Sequence, residues 1–177
     1  MTGGMDRETL ANRIFAVAHL TGEFTLRSGA TSTEYFDKYR FESDPVLLES
    51  IAEAMAPLVP DGTEVLAGLE LGGVPLAVAL SRATGLPAAF VRKEAKAYGT
   101  AQLAEGASVD GRRVTVVEDV VTSGGQVVMS CRDLTDRGAD IVAVLCVIDR
   151  QAGGPEAIAE VGHELHALFK MSELTSS

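Results

Sequence analysis

Positive charge, cysteine and long hydrophobic runs are all scarce in this chain, and each shortage excludes a class of function. Fifteen Lys and Arg stand against 25 Asp and Glu in 177 residues, a formal charge of −10. Proteins that grip nucleic acid through its phosphates normally carry the opposite sign, so neither DNA nor RNA is expected as a partner. An anionic substrate would need a concentrated island of positive charge. Cys131 and Cys146 form no CxxC pair, and each sits in an apolar stretch. They read as reduced, buried thiols of a cytoplasmic protein. The longest clean apolar run, residues 141–148, is eight long. A membrane-crossing helix needs about 18 or more, so none is expected. The opening MTGGMDRETL is polar and carries acids, unlike a signal or transit peptide. Repeats, low-complexity tracts and long linkers are also missing.

The composition, 46% apolar and 23% charged, is that of a globular chain. Its length suits a single domain, which can bury roughly 70% of its unfolded surface without disulfides or a structural metal. Apolar spacing predicts a helix over about 6–20 with Leu10, Ile14, Val17 and Ala18 on one face. Extended segments are expected at 23–26 and 34–39. Asp44-Pro45 opens a second helix as N-cap and first residue, and Pro57 with Pro60-Asp61-Gly62 closes it. From there strands and helices alternate: strand 64–67, helix 74–83 ended by Gly85, strand 88–91, strand 113–117, helix to about 137, strand 141–148, a short helix near 155–161 and a strand near 165–169. Residues 92–110 show neither period. The strands between 64 and 148 are continuous apolar runs, the mark of strands buried on both faces. An α/β fold around a parallel sheet with right-handed crossovers follows, with ligands outside the carboxyl ends of its strands.

The most informative segment is VTVVEDVVTSGGQ, residues 114–126. A buried strand meets two adjacent acids, Glu118 and Asp119, and then a Thr-Ser-Gly-Gly turn opens a helix. Glycines allow close backbone approach, and free N–H groups at a helix N-terminus favour a phosphate. The turn is neither a Walker A loop nor a GxGxxG fingerprint. The two carboxylates repel phosphate. They make sense if the phosphate is carried by a sugar whose hydroxyls need acceptors, and if that sugar becomes cationic during reaction. A solvated strand end and a Mg²⁺ site are the other readings of the pair.

Arg92, Lys93 and Lys96 supply three of the fifteen basic residues within five positions, directly after a strand. Such a run is ordinarily a solvated loop. Beside a phosphate cradle in an acidic chain it is a candidate diphosphate clamp. Gly99 and Gly106 bracket a stretch able to close over substrate and reopen. His163 and His166 have HxxH spacing without a third ligand nearby, which makes zinc an unexpected occupant. His19 ends the first helix, where its charge suits the dipole.

Segment VVEDVVTSGGQ resembles the 5-phosphoribosyl-1-diphosphate (PRPP) signature of type I phosphoribosyltransferases. FTLRSG near the N-terminus, YFD at 35–37, RKEAKAYGT at 92–100 and DRQ at 149–151 narrow the resemblance to the orotate phosphoribosyltransferases, over roughly residues 22–151. That likeness implies a three-layer sandwich around a mostly parallel sheet, with a small N-terminal hood (about 1–62) over a PRPP-binding core (about 63–170). It implies that Glu118 and Asp119 meet the ribose hydroxyls. Val120, Val121, Thr122, Ser123, Gly124, Gly125 and Gln126 would hold the 5′-phosphate. Leu71 and Gly72 would cup the diphosphate, and Arg27 would join the PRPP site. Arg92 would serve its own subunit, while Lys93, Lys96 and Tyr98 would serve the neighbour in a homodimer. Lys96 would stabilise the departing diphosphate, and Mg²⁺ would bind mainly through PRPP, with no dedicated protein ligands. Arg150, Thr122, Tyr35 and Phe36 would recognise orotate.

Three departures stand out. Tyr98 replaces a common histidine, Gly72 replaces a common lysine, and Arg27 replaces the lysine of FTLKSG-type members. Tyr35 and Phe36 equally suit a small aromatic core. Lys38 and Arg40 sit beside them, where functional and solvated charges read alike. The expected reaction is orotate + PRPP ⇌ orotidine 5′-phosphate + diphosphate, a step of pyrimidine biosynthesis. A phosphoribosyltransferase for another base, a PRPP-sensing regulator and a non-catalytic sugar-phosphate module are the alternatives.

Overall fold

The computed structural model describes residues 5–26, 29–94 and 103–175. Helix α1 (Arg7–Ala18) starts at Asp6, whose carboxylate accepts from the Thr9 N–H at 2.9 Å. Its face of Leu10, Ile14 and Ala18 is buried. It runs into a hairpin of β1 (His19–Thr25) and β2 (Thr31–Phe36), which pair antiparallel. The hairpin begins earlier than the sequence pattern suggests, and Tyr39 belongs instead to a one-turn helix, α2 (Tyr39–Glu42). Then comes α3 (Pro45–Met55), with Asp44 accepting from the N–H groups of Val46 and Leu47. The N-cap and Pro reading holds in full.

Six strands form the main sheet: β3 (Val65–Leu69), β4 (Ala88–Val91), β5 (Ala104–Gly106), β6 (Arg113–Val121), β7 (Asp140–Asp149) and β8 (Leu165–Lys170). Their order is β5-β4-β3-β6-β7-β8, parallel throughout except for β5. Helices α4 (Gly73–Thr84), α5 (Gly125–Thr135), α6 (Gly154–Glu160) and α7 (Met171–Thr175) complete the chain. One apolar cluster joins α1, α3 and α4 to one face of the sheet; a second joins α5 and α6 to the other. Along β7 the two faces alternate: Ala143, Leu145 and Val147 enter the first cluster, Val144 and Cys146 the second. This double burial is why its run is continuously apolar. No helix among the described residues is long and apolar enough to cross a membrane.

Strand β6 corrects the sequence reading most usefully. It continues past Val117 through both acids to Val121, because its ladder to β7 extends to Val121 opposite Asp149. Within it, Glu118 Oε1 accepts from the Asp119 N–H at 2.9 Å, and the Asp119 carboxylate accepts from the Val120 N–H. The regular alternation is lost there. Val117 packs in the cluster beneath α4, whereas Val121 packs in the opposite one. From β3 the chain goes to β4 on one side, while β6 lies on the other. The carboxyl ends of β3 and β6 therefore flank a topological switch point, the position at which open α/β sheets form a ligand crevice.

Candidate active site

At that point lies a cavity of about 370 Å³ lined by Lys38, Tyr39, Glu70, Leu71, Lys93, Glu118 and residues 120–127. Larger hollows, of about 420 Å³ between α3 and α4 and about 470 Å³ beside β8, have neither the glycine-rich loop nor the paired acids. The residues expected to hold phosphate, Val120, Val121, Thr122, Ser123, Gly124, Gly125 and Gln126, all line the cavity. Gly124 has φ 77°, a left-handed conformation that glycine adopts without strain, and α5 starts at the next residue. The free N–H groups of an 11-residue helix thus open beside the cavity.

Glu118 lines the wall, but Asp119 is completely buried and lies behind it. Lys38 covers Asp119, its Nζ 2.6 Å from Asp119 Oδ2. Glu42, also buried, crowds the same space: a Cβ built on Gly72 would meet both carboxyl groups. Burial pushes the Glu42 carboxyl up to about 9, reinforced by the neighbouring Asp119 carboxylate. Burial likewise raises Glu118, with the Asp119 charge adding to it. Burial works against the charge of Asp119 too, but the neighbouring Glu118, Glu42 and Lys38 side chains outweigh it and hold Asp119 below the usual carboxylate range. For Lys38, burial opposes the charge, and Asp119 overcomes it, so the ammonium is held above its ordinary value. The cluster therefore holds one carboxylate and one ammonium, with two carboxyl groups pushed toward their protonated forms.

Gly72 makes this arrangement possible. A Cβ there would overlap the Asp119 carboxylate and stand 2.8 Å from Glu42 Oε1. Leu71 lines the cavity beside it. Glu70 Oε2 accepts from the Lys93 N–H at 3.0 Å, which ties the β3–α4 turn to the segment after β4. Lys93 lines the cavity, whereas Arg92 does not: its Nε lies 3.9 Å from Glu105 Oε1 on β5.

Arg150 is exposed, and its N–H donates to Val121 O at 2.9 Å, which puts the residue next to the phosphate loop without making it part of the cavity wall. The DRQ turn is built by its neighbours. Asp149 accepts from the Gln151 N–H at 2.8 Å, and Gln151 has φ 58°. Tyr35 and Phe36 part company on β2. Phe36 packs against the core, while Tyr35 is 45% exposed with its ring 5.5 Å from Phe24. Arg27, Lys96, Tyr98 and Gly99 lie outside the described residues. Sequence reasoning left Lys38 undecided and missed Tyr39, Glu42 and Glu70. A one-turn helix shows no period, and charges that bury against each other look solvated in a sequence.

A family model for the phosphoribosyl transferase domain matches residues 42–162. The orotate phosphoribosyltransferase of a Nocardioides species is 54% identical over 169 residues, covering 96% of this chain and 94% of that relative. Among solved structures, orotate phosphoribosyltransferase of Mycobacterium tuberculosis H37Rv in complex with Fe(III) dicitrate has a TM-score of 0.88 at 35% identity, covering 96% of this chain and 99% of that one. The same enzyme in complex with PRPP has a TM-score of 0.83 at 32% identity, covering 97% and 99%. The six-stranded, mostly parallel sheet with helices on both faces is the type I phosphoribosyltransferase fold, and the chain belongs to the orotate phosphoribosyltransferases.

Proposed function

We propose that this chain transfers the 5-phosphoribosyl group from PRPP to orotate, giving orotidine 5′-phosphate and diphosphate, in pyrimidine biosynthesis. The observation that carries this reading is the joining, at one switch point, of a helix-opening glycine loop, the Glu118–Asp119 pair and the lysines Lys38 and Lys93 in a single cavity wall or directly behind it. Residues 122–126 hold the 5′-phosphate through backbone N–H groups and the two hydroxyls. Glu118 offers the ribose hydroxyls both an acceptor and, while protonated, a donor. As the bond from C1 to diphosphate breaks, its electron pair leaves with the diphosphate and the sugar gains positive charge. That charge is stabilised by the negative field of Asp119 behind Glu118. Orotate N1, entering deprotonated so that no proton has to leave it, then bonds to C1 from the opposite face. Thr122, Arg150 and the Tyr35–Phe36 strand orient the base.

The acids themselves fit a sugar better than a metal ion. The Lys38 ammonium already stands against Asp119, and like charge disfavours a divalent cation there. Among the described residues no group of three His, Cys, Asp or Glu is arranged to hold a metal. Mg²⁺, where it takes part, would be held by PRPP rather than by a dedicated set of side chains, and would supply neutralisation of the leaving group's charge. Lys96 and Tyr98 complete the neighbour's site in a homodimer, Lys93 serves the cavity of its own subunit, and Arg92 and Arg27 serve PRPP binding. Residues 1–62 act as a hood over the core of residues 63–170, in a cytoplasmic enzyme.

A panel of bases tests the assignment. With PRPP and Mg²⁺ present, orotate should be consumed at least a hundredfold faster, in kcat/KM, than uracil or adenine. Preference for a different base would overturn the substrate assignment, and absence of turnover with every base would overturn the reaction.

A further inference from the structure

The sequence reading gave Lys38 and Glu42 no role, yet with the fully buried Asp119 they form a charged cluster at the edge of the cavity. Lys38 lies on the hood side, between β2 and α2, and Asp119 is on the central strand β6. Their 2.6 Å contact joins segments 81 positions apart. Both oxygens of Asp119 are committed inside the protein: Oδ2 to Lys38, Oδ1 to the Val120 N–H. Asp119 has no face on the cavity, whereas Lys38 lines it. The Tyr39 ring, 5.3 Å from Lys38 Nζ, borders the cavity as well. Glu42 is buried beside Asp119, and Gly72 gives the two carboxyl groups room.

From this geometry we infer that Lys38 is a substrate-binding cation, anchored from behind by Asp119 and Glu42, that takes the diphosphate end of PRPP beside the Leu71–Gly72 turn. A lysine has three donors. One faces Asp119, which leaves others for an anion in the cavity. The phosphate loop can take one anionic group, and Lys38 and Lys93 line the same cavity with Leu71, so a second anionic group finds its cations there. The turn itself offers no cation there, because a side chain at Gly72 would overlap Asp119. A buried ion pair also holds the ammonium in a fixed place before substrate arrives, which lowers the entropic cost of binding. The direction in which Lys38 is shifted agrees with an ammonium that stays charged in spite of burial.

This inference rests on the PRPP reading above, so its test uses inorganic diphosphate and ribose 5-phosphate as separate probes, each with Mg²⁺. Titration calorimetry on Lys38→Met should show diphosphate binding weakened by about 10- to 100-fold, the range for a lost hydrogen bond between charged groups, with ribose 5-phosphate within threefold of the parent. Removing Lys38 strands a buried carboxylate, so a melting curve accompanies each variant. Lys38→Met combined with Asp119→Asn removes that problem. The double variant should bind diphosphate at least tenfold worse than Asp119→Asn alone. Equal diphosphate binding by these two, or equal weakening of both probes in Lys38→Met, would overturn the assignment. Failure of the parent protein to bind either probe would instead overturn the PRPP reading beneath it.

Discussion

Residues 120–127 line the cavity as one unbroken run, whereas Lys38, Tyr39, Glu70, Leu71 and Lys93 come from three separate segments. The first part of the lining is a backbone device. It depends on φ at Gly124 and on helix α5 starting one residue later. The second is a charge device, held by Asp119, Glu42 and the space at Gly72. The contrast teaches which substitutions each part tolerates. The contiguous loop should accept side-chain trimming but not a change of backbone conformation. The assembled part should respond to any change of charge or volume, even at residues that touch no substrate.

The largest effect is expected where cations are proposed to meet the diphosphate. Lys96→Ala, at the residue proposed to receive the departing diphosphate, should lower kcat by at least about 100-fold while PRPP KM changes only a few-fold. A kcat within a few-fold of the parent in steady-state assays would remove Lys96 from the mechanism. Gly72→Ala should come next. The added methyl overlaps the Asp119 carboxylate, so stability should fall by about 1–3 kcal/mol and kcat/KM for PRPP by about tenfold or more. Denaturant titration and initial rates would check the two numbers.

On the backbone device, Gly124→Ala forces an alanine into left-handed space, with Gly154 O only 3.1 Å from the new Cβ. A loss of about 1–2 kcal/mol is expected, together with weaker binding of ribose 5-phosphate. Ser123→Ala, by contrast, should change that binding by no more than about threefold to tenfold, since it removes a single neutral donor. If Ser123→Ala were the more damaging of the two, the loop would be working through side chains.

The smallest effect separates charge from shape within the assembled part. Glu42 is held protonated, with its value raised from 4.5 to about 9 in the folded chain. Between those limits the folded chain keeps a proton that the unfolded chain has released, so this group's contribution to stability falls as pH rises. Glu42→Gln removes that slope. The melting temperature of the Gln variant relative to the parent should therefore rise between pH 5 and pH 8, by about 4 °C or more. A difference that does not change with pH would mean that Glu42 is ionised in the folded protein.

The same division decides what the sequence makes legible. Residues 118–126 can be read directly because every part of that site is consecutive: strand, acids, glycine turn, helix. Asp44-Pro45 and Gly85 are legible for the same reason, being local signals of helix start and stop. Strand β6 runs past its apolar stretch because pairing with β7 and the two side-chain acceptors at Glu118 and Asp119 satisfy the backbone there. No local signal announces that. Strand β5 has three residues and α2 has four, too few to show a period. Lys38 and Glu42 look like solvated charges until the fold brings Asp119 between them. Arg92 looks like part of the clamp, yet it is paired toward Glu105 on its own side of the sheet. Of the aromatic pair, strand alternation sends Phe36 to the core and leaves Tyr35 to solvent.

The most direct measurement mixes the protein with PRPP, Mg²⁺ and orotate and follows the pyrimidine's ultraviolet absorbance. The account predicts a decrease of the orotate signal that requires PRPP, releases one diphosphate per orotate consumed and is reversed by adding diphosphate to the products. An unchanged spectrum from folded protein, at PRPP and orotate concentrations that saturate the related enzymes, would contradict it.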